Sequence, residues 1–357
     1  MTLIRGRDLG LPFPGETGPF NAITDVAGVE VGVTTLISGD GPLVVGQGPA
    51  RTGVTAILPR GRAGAGTACA AGYHSFNGNG EMTGTIWIEE AGELQSPITI
   101  TNTHSCGVTR DATIQWQVKN RFGTGQDWGL PVAAETYDGE LNDINGFHVT
   151  AEHVFAALDG ARSGPVPLGS QGGGTGMICY DFKGGNGSSS RKAMGYTVGV
   201  FVQSNFGQRE QLMVLGVPVG RAVTHDKLRW KDQGSIIVIV ATDAPLLPHQ
   251  LKRIARRVPM GMARTGAVGS NGSGDIFLAF STANAGAFGA GKDKRAMEFL
   301  PNGALDPLFT ATVEAVEEAI IDSMISNQTM VGRDGNRAIA LPHDLLLAQM
   351  RHSGGQG

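Results

Sequence analysis

The chain has 357 residues, a formal net charge of −4 and 41% hydrophobic residues. Its Lys and Arg are scattered, which argues against a nucleic-acid footprint, and it has no apolar run of about 18 residues that could span a membrane. Basic residues near the start, in MTLIRGRDLGLPFPGETG, precede no apolar segment of signal-peptide length, so the expected location is cytoplasmic.

Seven runs read as strands because they are short, rich in β-branched residues and bounded by Gly, Asn, Asp or Pro. In chain order they are Gly84–Glu90, Pro97–Thr103, Pro131–Tyr137, Tyr196–Ser204, Leu212–Val219, Ser235–Thr242 and Asp275–Thr282. Helical patterns lie at Thr109–Asn120, Ala151–Leu158 and Pro248–Val258. Another runs from Pro307 to about Ser326, with Asp306 as its expected cap and Pro307 at the first helical position. Strands come in groups, which predicts an α+β fold rather than a doubly wound sheet. No linker divides the chain, so residues 1–357 are expected to form one domain. Glycine, at 55 residues, is about twice its ordinary usage and must serve turns and close backbone approaches.

Cys69, Cys106 and Cys179 are far apart, odd in number and lack CxxC spacing, which argues against a disulfide framework and a zinc cluster; burial as small apolar groups is expected. His148 and His153 form no metal-binding spacing. GQGPAR (Gly46–Arg51) and QGGGTG (Gln171–Gly176) lack the ending of a P-loop and read as turns. Lys183 has an electrostatic supporting role or a packing role open to it. No metal or cofactor is implied.

The segment Met262–Asn284, MARTGAVGSNGSGDIFLAFSTAN, places a Gly–Ser pair in a glycine-rich turn before a strand. If the Ser270 hydroxyl attacks the Gly269 carbonyl, an ester forms that water hydrolyses, and Ser270 becomes a new amino terminus. Its α-amine, with a reference pKa of about 7.7–8, can serve as general base for its own hydroxyl. Ser273, also after a glycine, is the rival.

Around this segment the sequence resembles the self-processing family of D-stereospecific aminopeptidases (L-aminopeptidase/D-alanine esterases) and β-peptidyl aminopeptidases. The resemblance runs through NAITDVAGVEVG (Asn21–Gly32), NGNGEMTGTIWIEEAG (Asn77–Gly92), PITITNTHSCG (Pro97–Gly107) and AETYDGELNDINGFHV (Ala134–Val149). It continues through GGGTGMICYDFKGGNGSSSR (Gly172–Arg191), VGVFVQSNFGQRE (Val198–Glu210) and SNGSGDIFLAFSTAN. It implies an αββα sandwich, two β-sheets between helical layers. It also implies cleavage into an α chain, 1–269, and a β chain, 270–357, assembled as a homotetramer of αβ units. By the same resemblance Ser270 is preferred, since related threonine enzymes place the nucleophile five positions before the aspartate matching Asp275. Asn205 becomes the oxyanion-stabilising amide, Glu135 the binder of the substrate ammonium, and Tyr137 a hydrogen-bonding partner near the nucleophile or the oxyanion. Thr312 and Glu314 become the hydroxyl and carboxylate that orient the serine, with Glu317 an equal alternative to Glu314.

The expected function is release of an N-terminal residue (D-, L- or β-amino acid) from short peptides, amides or esters. Acyl transfer of the ornithine acetyltransferase kind and a non-catalytic binding protein on the same fold are the alternatives.

Overall fold

The computed structural model describes residues 4–120, 128–228, 234–289 and 292–354. Two sheets face each other. The first has the order β1 (Glu30–Ser38), β2 (Ala50–Leu58), β5 (Ile98–Asn102), β6 (Val132–Thr136). The second has the order β4 (Glu93–Leu94), β3 (Cys69–Ser75), β12 (Gly274–Ser281), β11 (Ser235–Thr242), β10 (Tyr196–Asn205), β9 (Gly185–Ala193). A short hairpin, β7 (Ile178–Cys179) and β8 (Phe182–Lys183), lies beside the end of β10.

β11 and β12 run parallel at the centre of the second sheet, and their neighbours β10 and β3 are antiparallel to them. Alternation along the strands splits the core. Ile237, Ile239, Phe201, Ile276 and Leu278 point between the sheets, where they meet Ile98, Ile100 and Val132 of the first sheet. Val238, Val240 and Phe277 point outward, against α4 (Pro248–Ala255), α5 (Val258–Arg264) and α6 (Asp306–Ile325). On the other outer face, α2 (Cys106–Lys119) and α3 (Ala151–Asp159) cover the first sheet through Ala112, Trp116, Val154 and Leu158. The α+β fold is therefore the four-layer αββα sandwich. No helix among the described residues is long and apolar enough to cross a membrane.

Two expected strands are something else. Gly84–Glu90 is helical, forming α1 (Thr85–Ala91) between Gly84 and Gly92, both at positive φ. Its alternating TIWIEE pattern buries only Ile88, leaving Ile86 exposed, so it covers an edge and does not enter a sheet. Leu212–Val219 is an irregular loop closed by a single Val214–Val217 bridge. Asp306 opens the first turn of α6 and Leu305 takes the cap position. The last helix, α7 (His343–Gly354), and strands β1, β2, β3 and β9 were not among the expected elements. All three cysteines are buried and unbridged, and burial pushes the Cys69 thiol up to about 11 and Cys106 to about 12.

Candidate active site

At one end of the sandwich the sheets part around an open cleft of about 510 Å³. The first sheet contributes Glu135 and the residues just beyond its strand ends, Thr103 and Tyr137. The second contributes Ser235 and the turn at Gly272, and the loop after β3 adds Asn79, Gly80 and Glu81.

Ser235 is the first residue of β11, the strand with the strongest β-branched run, SIIVIVAT. Its backbone lies opposite Asn205 on one side and Gly274 on the other, and its Oγ accepts the Gly274 N–H at 3.2 Å. A side chain on the preceding Gly234 would come within 1.7 Å of the Asn205 carbonyl oxygen, so only glycine fits there. Asn205 is fully buried. Its Oδ1 accepts the Ile178 N–H at 2.8 Å and its Nδ2 donates to the Tyr137 carbonyl at 2.7 Å, which ties the last residue of β10 to the end of the first sheet.

Glu135 is 2% exposed. The Thr103 hydroxyl donates to its Oε2, and the Glu81 N–H donates to its Oε1 at 2.9 Å. Burial raises its pKa above the ordinary value, against those two hydrogen bonds, and the nearby Glu81 carboxylate pushes the same way. The approach is tight enough that a Cβ on Gly80 would sit 3.1 Å from Glu135 Oε1. A carboxylate held this way is suited to an incoming ammonium group.

At the start of β12, Ser273 and Asp275 flank Gly274, the strand's first residue. The Ser273 hydroxyl donates to Asp275 Oδ1 at 2.6 Å, and both residues are buried. Asn79 Nδ2 donates to the Gly272 carbonyl at 2.8 Å.

The structure brings Glu135, Tyr137 and Asn205 to this end of the sandwich, sets Gly269 and Ser270 in the turn beside the cleft, and leaves Thr312 and Glu314 away from it. Ser270 sits in the turn before β12 and does not line the cleft; its carbonyl accepts the Ser273 N–H at 3.0 Å. Gly269 has φ +66° and faces the Phe76 ring. Thr312 and Glu314 lie on α6 at the opposite end of the second sheet. Thr312 Oγ1 donates back to Leu308 O at 2.8 Å, and Glu314 stands 3.5 Å from Arg191, whose register partner is Val198. Seven residue steps along β10 take Val198 to Asn205, a span of about 23 Å at strand rise. Glu317 pairs with Arg264 on α5 at 3.1 Å, also away from the cleft. The structure therefore does not bring Thr312, Glu314 or Glu317 to the cleft: the turn of α6 at Glu314 packs beside Arg191, and the helix nears the Asn205 end of β10 only in its later turns, where Ala319 lies against Gly187, the register partner of Val202. Lys183 is buried, with its Nζ donating to the Met177 and Gly184 carbonyls. Sequence reasoning passed over Ser235, although Gly234–Ser235 is also a Gly–Ser pair before a strand. It also passed over Thr103 and Glu81, which line the cleft. No group of side chains suited to a metal ion occurs among the described residues.

A serine at the mouth of a central strand, in an αββα sandwich, with a buried carboxylate across the cleft, is the arrangement of an N-terminal-nucleophile hydrolase. Residues 21–338 match Peptidase family S58, and the chain belongs to that family. It is similar to two proteins named beta-peptidyl aminopeptidase BapA. The one from Sphingosinicella microcystinivorans is 51% identical over 97% of this chain and 92% of its own length. The one from Sphingosinicella xenopeptidilytica is 44% identical over 97% and 91%. Among solved structures, the L-aminopeptidase D-Ala-esterase/amidase of Ochrobactrum anthropi, described as a prototype for the serine aminopeptidases and a variant of the Ntn hydrolase fold, superposes with a TM-score of 0.91. It is 48% identical and covers 98% of this chain and 99% of that one. A Burkholderia sp. beta-aminopeptidase superposes with a TM-score of 0.90, at 46% identity and the same coverage. The chain is thus a serine aminopeptidase of the N-terminal-nucleophile class, and neither the acyl-transfer nor the non-catalytic alternative is favoured.

Proposed function

We propose that the nucleophile is Ser235, set free as a new amino terminus when the Gly234–Ser235 bond breaks, and that the enzyme removes N-terminal β-amino acids from short peptides and amides. The carrying observation is the position of Ser235. It lines the cleft opposite Asn205, whereas Ser270 lies outside it. On this reading the fragments are residues 1–234 and 235–357, in place of 1–269 and 270–357.

In self-cleavage the Ser235 Oγ bonds to the Gly234 carbonyl carbon, the C–N bond breaks, and the nitrogen takes the hydroxyl proton. Water then hydrolyses the ester to a Gly234 carboxylate and the free Ser235 hydroxyl. The released α-amine is the general base for the hydroxyl in each later turnover. Ser273 and Asp275, one strand over, supply the hydroxyl and carboxylate that orient Ser235 and its amine, the roles first given to Thr312 and Glu314. Glu135 binds the substrate ammonium. Asn205 supports the oxyanion, a contribution of roughly 3 kcal/mol in comparable sites, and Tyr137 closes the wall beside it. The β-amino preference follows the relatives' names. We take the working form to be a cytoplasmic homotetramer of αβ units, which light scattering of the purified enzyme tests.

The test is electrophoresis and intact mass of wild type, Ser235→Ala and Ser270→Ala, with turnover of β-alanine, L-alanine and D-alanine p-nitroanilides. Ser235→Ala is expected to stay as one polypeptide of about 37 kDa and to lose activity on the order of 10⁴-fold or more. A second chain starting anywhere but residue 235 overturns the assignment.

A further inference from the structure

Every polar atom of the Asn77 side chain is spent on the segment that carries Ser273 and Asp275. Its Oδ1 accepts the Asp275 N–H, and its Nδ2 donates to Asp275 Oδ2 at 2.8 Å and to the Ser270 carbonyl at 3.3 Å. The other carboxylate oxygen, Asp275 Oδ1, accepts the Ser273 hydroxyl at 2.6 Å. One amide therefore sets the rotation of a buried carboxylate, and that carboxylate sets the direction of a hydroxyl one residue from Gly274, the register partner of Ser235.

We propose that Asn77 is a positioning residue for the reaction, acting through Asp275 and Ser273 on Ser235. This rests on the reading of Ser235 as nucleophile. A loop-holding role alone does not require the side chain, because two backbone bonds tether the same loop without it. The Phe76 N–H donates to the Asp275 carbonyl at 2.9 Å, and the Asn79 N–H to the Ser273 carbonyl at 3.3 Å. What those bonds cannot do is choose which way the Asp275 carboxylate turns. The Asn77 amide does that, and the proton-transfer geometry of the Ser235 hydroxyl and amine depends on it.

Asn77→Asp separates the two roles. It keeps an acceptor for the Asp275 N–H but turns a donor to Asp275 Oδ2 into a second carboxylate. Asn77→Ala removes both. In each variant we measure the melting temperature, the rate at which the precursor yields its second chain, and kcat and KM of the matured fraction on an amino-acid p-nitroanilide. The expected result is melting within a few degrees of wild type, KM within about twofold because Glu135 is untouched, and kcat and maturation slowed on the order of 10–100-fold. Asn77→Asp is to be at least as slow as Asn77→Ala. Wild-type kinetics in Asn77→Asp beside an impaired Asn77→Ala overturns the proposal in favour of loop holding. So does a raised KM at unchanged kcat, or loss of cooperative melting in either variant. Ser235→Ala, run in parallel, separates the two claims. If it matures and turns over, the nucleophile reading fails whatever Asn77 does. If it stays unbroken while Asn77→Asp behaves as wild type, only the positioning role fails.

Discussion

Glu135 and Glu318 are both glutamates with almost no exposed surface, at opposite ends of the sandwich, yet their pKa values move in opposite directions. Burial pushes both upward. At Glu318 that push is overcome by the Arg7 guanidinium at 2.9 Å, by Arg191 at 2.6 Å and by the Asn21 amide, and the carboxyl ends below its ordinary value. At Glu135 the partners are a threonine hydroxyl and a backbone N–H, and burial wins. A buried charge whose opposite charges come from its own chain is a fastening. A buried carboxylate held by neutral donors at the wall of a cleft is a receptor for a cation. The first ties the N-terminal segment and β9 to α6, and the second serves substrate.

Breaking the fastening has the larger energetic effect. Glu318→Ala leaves Arg191 buried without its main partner, and removing one member of such a pair costs about 3–5 kcal/mol. Calorimetry is expected to show melting lowered on the order of 5–10 °C, with KM near wild type at low temperature. Breaking the receptor does the reverse. Glu135→Gln preserves shape and hydrogen bonding but gives up the charge on a charge-assisted contact of about 1.5–3 kcal/mol, so KM is expected to rise roughly 10–100-fold at nearly unchanged melting temperature. If Glu135→Gln melts low and binds well, the assignment of the two ends is inverted.

Acid sharpens the contrast. Because the folded-state pKa of Glu135 is raised, its proton returns at a pH above the ordinary glutamate value of about 4.3 as pH falls. Affinity for a free amino acid, read as an inhibition constant, is expected to weaken from there, and Glu135→Gln to show no such dependence. The stabilising contribution of Glu318 is complete above the unfolded value and is lost only as pH falls through its depressed folded value. Binding is thus expected to fail at a higher pH than the fold. Coincident loss of both, in titrations of inhibition and of circular dichroism, contradicts the division.

How much of this was legible in the sequence depends on what each signal encodes. Central strands such as SIIVIVAT and the helix DPLFTATVEAVEEAIIDSMI were readable because periodicity and β-branching report burial directly. β9, GNGSSSRKA, was not, because its buried serines satisfy themselves through distant partners: Ser188 donates to the Val200 carbonyl and Ser189 to that of Ala315. GTIWIEE alternates like a strand, but positive φ at Gly84 and Gly92 turns it into a short helix. At the site, Glu135 and Tyr137 were legible through strand spacing and the family resemblance. The nucleophile was harder, since Gly–Ser before a strand occurs at Gly234–Ser235, Gly269–Ser270 and Gly272–Ser273 alike. Only the packing of two sheets distinguishes a serine on the wall of the cleft from one in the turn beside it.

The smallest expected effect belongs to Ser270→Ala. What Ser270 contributes to the turn before β12 is its carbonyl, which accepts from the Ser273 N–H and from Asn77 Nδ2, and alanine keeps that carbonyl. A part-exposed hydroxyl outside the cleft costs at most about 0.5 kcal/mol to remove. The variant is expected to mature to the same fragments and to retain kcat/KM within about twofold, as mass spectrometry and p-nitroanilide turnover would record. An uncleaved Ser270→Ala chain would return the chemistry to the turn preceding β12. The division between a receptor wall built on β6 and β11 and a fastening at the far end of the sheet would then lose its first member.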